Sequence, residues 1–381
     1  MRKLLTFLCS AVGLAVLLAG GAAVSATQTI EMWDLPYRDM FPAGVALDAQ
    51  GFVYTAAAGG MDVYRLDPCA GLWRSWGVGL GPEGVLVVDG AVFCTVRTRD
   101  AIVYFNPASQ GVTTVLPSLP EQKGFGELHH GPDTAMGEQV FWIAEWEANG
   151  VLRYTLDLAA NRPLVVGTVR DVQAIVRTQG IIPETQTASY EAFNYDLTAM
   201  PAAEPTTPVY DSSAYTEWAL PLVDRSIEDI AVAADGTVWI SAGLPALFRL
   251  DPVGGTLRLM ETIQNVAIFQ GLLPDPDGSI WFGNILEGAI GHFDPVLGVS
   301  ETWRIPGVLE VYDLAFDREG RIWFTDRVGD ALGRLDRMTG TTMMYRLPAG
   351  SEPLFLVVDP VGDVWFSAGS GNYIGRVTPV E

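Results

Sequence analysis

Lysine is almost missing from this 381-residue chain: it stands only at Lys3 and Lys123, and the remaining cations are scattered arginines. A phosphate backbone needs a stripe of positive charge, so no nucleic-acid partner is expected. The formal charge of -22 instead favours solubility and ligands that are cationic or carry a metal. Charged residues make up only 18% against 49% apolar ones, which leaves ample material for a core and no stretch that composition marks as disordered. Cysteine is equally scarce. Cys9 sits in an apolar run without the small residues that precede a lipid anchor, Cys69 lies in the turn Asp67-Pro68-Cys69-Ala70-Gly71, and Cys94 lies inside AVFCTV. Export would permit a disulfide, but no spacing argument joins Cys69 to Cys94, so two free thiols are expected.

What the chain does have begins with an address. Arg2-Lys3 precedes an apolar run from Leu4 to Val24, and Val24-Ser25-Ala26 offers small residues at a cleavage site. Residues 1–26 therefore read as a secretory signal, with an uncleaved N-terminal anchor as the alternative because the run is long enough to span a bilayer. After cleavage no membrane span is expected.

The rest is repetitive. Glu310 to Pro348 reads as four short strands, VYDLAF, RIWFTD, ALGRLD and TTMMYRLP, separated by turn clusters such as Asp317-Arg318-Glu319-Gly320. The aromatic of its second strand, Trp323, recurs at Trp239, Trp281 and Trp365, each 42 residues from the next, and a period of that size marks a repeat architecture. These tryptophans read as core between units rather than a ligand cage. Tyr54, Phe93 and Trp142 hold the same place upstream, which makes seven units over residues 27–381. The last unit has only three strands, and IEMWDLP, Ile30 to Pro36, matches the missing fourth. The expected fold is thus all-β, a seven-bladed β-propeller closed by its N-terminal strand, with no open edge. Trp239 follows Trp142 by 97 positions, so 158–215 is either an insertion decorating the third blade or a degenerate extra blade, giving eight.

The blade pattern itself, Glu-Pro at the start, Asp-x-x-Gly-x-Val/Ile-Trp-Phe, Ile-Gly-Arg-Leu-Asp and a close in Tyr-x-Leu-Pro, resembles the streptogramin lyases, the virginiamycin B lyase family. Ser351 to Pro379 carries it most fully. The resemblance implies a seven-bladed propeller that opens a cyclic depsipeptide by elimination at its ester bond with Mg²⁺, using two histidines and a glutamate. It places the glutamate at Glu352 and the histidines at Leu354 and Tyr312, where neither residue supplies a base near neutral pH.

In a propeller the innermost strands line a channel, and their first residues form a rim with the loops that follow the second strands. The inner strands bring Glu83, Glu127, His129, Glu228, Gln270, Glu310, Tyr312 and Glu352 there, and the loops bring Glu145, Asp326, Asn284, Glu287 and Asn372. Converging carboxylates would hold Mg²⁺ or Ca²⁺, or else pair with Arg327, Arg97 or Arg99. Glu127-Leu128-His129 puts an acid and an imidazole on one strand face, the one place where a catalytic pair is offered outside Glu352. His130 points the other way, and His292 reads as structural. The expected function is an exported, monomeric propeller that binds a small molecule, peptide or protein on an acidic rim. The alternatives are an Mg²⁺-dependent carbon–oxygen lyase and a lactone hydrolase.

Overall fold

The computed structural model describes residues 28–108, 111–115, 122–156, 165–166, 169–194, 210–211, 215–220, 226–262 and 268–379; the expected signal, 1–26, lies outside them. Its strands form seven antiparallel sheets, and each of the seven units supplies one. The eight-bladed alternative is therefore excluded. Blade 6 shows the plan: Val311–Phe316 innermost, then Ile322–Asp326, Ala331–Leu335 and Thr341–Arg346.

The second strand of a blade is covered on both faces by neighbouring blades, which is why Ile322–Asp326 and Val364–Ala368 are buried along their whole length. The tryptophans sit in these inter-blade layers: Trp323 packs with Leu332 and Tyr345 of its own blade and Leu356, Val364 and Phe366 of the next. The motif glycine of the third strand has a steric reason. A Cβ on Gly291, Gly333 or Gly375 would lie 2.2, 2.0 or 2.1 Å from the ring of Phe282, Phe324 or Phe366. The Asp-x-x-Gly turns are tied to the same aromatics, since the Trp281 and Trp365 indoles donate to Asp275 and Asp359 at 3.1 and 3.2 Å.

The ring closes as the sequence predicts. Gln28–Asp34 pairs with Tyr373–Val377, Ile30 opposite Val377 and Asp34 opposite Tyr373. Trp33 stacks on Trp365 at 5.3 Å, and Arg376 pairs with Glu31 across the joint.

The insertion is not an eighth blade, and it decorates more than the third. Blade 3 takes its fourth strand, Tyr215–Ala219, from beyond it, edged by Tyr210–Asp211. Before that the chain runs around the outside of the propeller, adding a fifth strand to five other blades. Val165–Val166 pairs with Gly111–Val115 of blade 2 and Val169–Gln173 with Leu72–Gly77 of blade 1. Ile175–Ile181 pairs with the closing strand, Glu184–Thr187 with blade 6 and Ser189–Asn194 with blade 5. Bidentate pairs Arg74–Asp171 and Arg177–Asp34 fasten this belt.

Cys94 is a free thiol, fully buried, and burial pushes its pKa up. Cys69 is disulfide-bonded rather than free. Among the described residues no helix is long and apolar enough to cross a membrane.

Candidate functional site

Every innermost strand carries one extra residue near its start, where the register shifts: between Pro42/Val45, Pro82/Val85, Phe125/Leu128, Ile227/Asp229, Gln270/Leu273, Val311/Leu314 and Pro353/Leu356. A bulge turns two successive side chains toward one side. The second bulge residues, Gly44, Gly84, Glu127, Asp229, Gly271, Asp313 and Phe355, all line one cavity of ≈ 180 Å³ in the channel mouth. Ala43, Glu83, Gln270 and Tyr312 reach it from the first bulge position, with His129 below and Trp146 beside them.

Asp229 and Asp313 are missing from the set chosen from sequence. Each reaches into the next blade: Asp229 accepts the Leu272 amide at 2.6 Å, and Asp313 accepts the Leu356 amide at 2.8 Å. Glu127 does the same toward Ile230 and is hydrogen-bonded to Asp229. The His129 Nε2 lies 3.7 Å from the Glu127 carboxylate. One ligand atom from each of Glu127, His129 and Asp229 falls within 4.8 Å of the others.

Burial sets the electrostatics. It pushes Glu83, Glu127 and Asp313 up to about 7, with Arg97 opposing the shift at Glu83 from 3.5 Å. Asp229 is raised by burial and then by Glu127, because two adjoining buried carboxyls resist double ionisation and share a proton. Burial lowers His129, so its imidazole is neutral near pH 7. The arrangement can therefore take up a cation or hold protons on its carboxyls.

The other residues chosen from sequence lie elsewhere. Glu310 is buried in an ion pair with Arg327 at 2.8 Å, and Glu228 accepts from the Ser226 hydroxyl. Glu352 accepts from Ser370 while its amide donates to Asp330, outside the cavity lining. Leu354 is buried and does not line the cavity. Glu145 folds against Gly150 of its own hairpin, where a Cβ would meet its carboxylate at 2.3 Å. Asp326 accepts the Leu309, Glu310 and Gly329 amides. Asn284 and Arg304 hold Glu287, and Asn372 bridges Met40 and Tyr37 across the closure. His292 is held by Glu301 and Ser279 and stacks on Trp281, a structural position as expected; His130 pairs with Asp133 at 3.0 Å.

The positions that the resemblance assigns to its glutamate and histidines do not suit the Mg²⁺ it implies. Leu354 offers no donor, Glu352 is turned to Ser370, and the Arg327 guanidinium lies 5.1 Å from the Tyr312 ring, a fixed positive charge where a cation would bind.

Residues 213–380 match the model of the Virginiamycin B lyase family. No curated protein matches the chain by sequence. Among solved structures, a streptogramin B lyase is 18% identical over 92% of this chain and 98% of its own, at a TM-score of 0.68. A catalytically inactive virginiamycin B lyase from Staphylococcus aureus with quinupristin is 16% identical over 92% and 99%, also at 0.68. The extracellular domain of a hybrid two component system from B. thetaiotaomicron follows at 11% identity and 0.56, covering 90% of this chain and 40% of the other. Periodicity, sheet order, closure and these likenesses agree: the chain is a virginiamycin B lyase-like β-propeller of seven blades.

Proposed function

We propose that this protein is an exported binding propeller whose channel mouth takes the cationic or metal-borne part of a ligand, and that it does not open cyclic depsipeptides. The observation that carries the reading is the ring of second bulge residues. Three blades place glycine there, Gly44, Gly84 and Gly271, and a fourth places Phe355, so the propeller closes without an acid at this position. Glu127, Asp229 and Asp313 each hold an amide of the next blade, a contact that four blades do without, and burying them raises all three pKa values at a cost in stability above neutral pH. A positive ligand offsets that cost.

A cavity of ≈ 180 Å³ is smaller than the 300–1,000 Å³ or so that encloses a drug-sized molecule. A larger ligand would lie on the rim and insert one group. Tyr312 and Leu354, at the places where the resemblance implies histidines, remove the bases that elimination requires, each worth about 10²–10⁴ in rate.

A thermal-shift screen of the purified protein against amines, divalent metals, neutral sugars and organic anions tests the binding. Positively charged members should stabilise it, by about 2.7 kcal/mol at 100 times Kd, and Glu83→Gln with Asp313→Asn should abolish the shift. Hits confined to anions or neutral molecules would refute the reading. So would Mg²⁺-dependent ring opening of a streptogramin B by the wild type, followed by chromatography and mass spectrometry because elimination leaves the mass unchanged. One observation favours the lyase alternative, the pairing of Glu127 with His129 at 3.7 Å inside the channel. Turnover lost on His129→Ala would establish it.

A further inference from the structure

From the placement of Glu127, His129 and Asp229 we infer a divalent transition-metal site between blades 3 and 4, with Gln270 of blade 5 facing its open side. The inference deepens the acidic-mouth reading above and rests on it. It also departs from the resemblance, which implies Mg²⁺ and places its glutamate and histidines at positions 352, 354 and 312.

Three features support it. The three donors lie within 4.8 Å of one another, on two inner strands whose bulges hold the carboxylates in place. Metal bonds of about 2.0–2.2 Å need only small side-chain rotations from there. The donor set is one imidazole and two carboxylates, which suits Zn²⁺ or Mn²⁺; Mg²⁺ and Ca²⁺ prefer oxygen donors alone. The third feature is independent of the cluster. Gln270 is only 6% exposed and lines the same cavity, yet its carboxamide makes no hydrogen bond to any described residue. Its amide atoms are open to the cavity rather than sealed in the core, so they can bond to a metal-bound water or to the group a ligand inserts. The indole N–H of Trp146, also buried and without a partner, belongs to that wall. Three protein donors leave metal positions open toward the cavity, the arrangement that binds a ligand oxygen rather than merely bracing the fold.

The test is calorimetric titration of the chelator-treated protein, its affinity tag removed, with Zn²⁺, Mn²⁺, Mg²⁺ and Ca²⁺ in turn. One Zn²⁺ or Mn²⁺ should bind per chain, about 100-fold or more tighter than Mg²⁺. His129→Ala and Asp229→Asn should each weaken it by about 100-fold or more, since even an outer partner of a ligand is worth roughly 10–100-fold. Asp229→Asn keeps an oxygen for the Leu272 amide, and His129→Gln serves if the alanine variant melts early. His130→Ala and His292→Ala should change nothing. Zn²⁺ and Mn²⁺ binding no tighter than Mg²⁺, or indifferent to His129, would overturn the metal site. If amines still stabilise the protein in the thermal-shift screen, the acidic mouth survives that result; if they do not, both fail.

Discussion

Two stretches of this chain add an outer strand to blade 7, and the structure predicts opposite consequences for removing them. The closing strand buries Ile30, Met32, Trp33 and Leu35, each 5% exposed or less. At about 1.5–3 kcal/mol per buried side chain, deleting Ile30–Pro36 should cost roughly 6–12 kcal/mol. That is comparable with the 5–15 kcal/mol or so that holds a domain folded. The belt strand beside it, Ile175–Ile181, is exposed at every residue but Ile181. Over 170–192 the belt buries Ala174, Ile181 and Ala188 among the residues whose burial is described. Its two bidentate ion pairs are surface pairs, worth about 0.2–1 kcal/mol each, and ordering its backbone costs about 1–2 kcal/mol per residue against the ladder bonds it makes. Replacing residues 157–212 by Asn-Gly, a two-residue hairpin turn, keeps Tyr154 opposite Tyr215. We expect that variant to fold and to lose no more than about 3 kcal/mol in denaturant melts. Its exposed blade edges should show instead as concentration-dependent association in light scattering. A beltless protein that fails to fold, or a chain lacking Ile30–Pro36 that melts with the wild type, would refute the reasoning.

Other expectations follow from single contacts. The Lys123 ammonium and Glu217 carboxylate form a buried pair at 2.9 Å; Lys123→Met alone should cost about 3–5 kcal/mol, and adding Glu217→Leu should restore most of it in the same melts. Gly333→Ala should cost at least about 1–3 kcal/mol by driving a methyl into the Phe324 ring, and Phe324→Leu in the same chain should recover part. Glu83 is raised to about 7 from 4.5, so the folded state keeps a proton that the unfolded state gives up. Stability should then fall as pH rises from about 4.5 to 7, by roughly 3 kcal/mol at most, and Glu83→Gln should flatten that slope; parallel pH profiles would disprove it.

The periodic part of the architecture was legible because it is written in apolar residues that must be buried. Trp239, Trp281, Trp323 and Trp365 recur on the period of the blades, and IEMWDLP carries the burial pattern of an outer strand, so both the blade count and the closure could be read. The belt was not legible for the opposite reason. Strands such as IVRTQGI lie against a blade edge mainly by backbone bonds, with most of their residues exposed, so nothing in their side chains alternates between core and water.

The site was half legible, and the bulge explains which half. Alternation along a strand places residues i and i+2 on one face, and that rule selected Glu127 with His129. At the bulge two consecutive residues turn toward the channel, so Glu83, Gln270 and Tyr312 lie one position earlier in the repeat than Glu127. Aligning Glu127 with Glu83 set it one residue out of phase, and the same step led to Glu228 in place of its neighbour Asp229. Counting from the apolar residue that precedes each bulge, Phe125, Ile227 and Val311, finds Glu127, Asp229 and Asp313 at the same offset of two. The rim loops fail for a different reason. A propeller must cap the amides where one blade hands the chain to the next, and acids and amides such as Asp326, Asp330 and Asn372 are used there. What distinguishes the channel acids is that glycine serves equally well at their position in other blades.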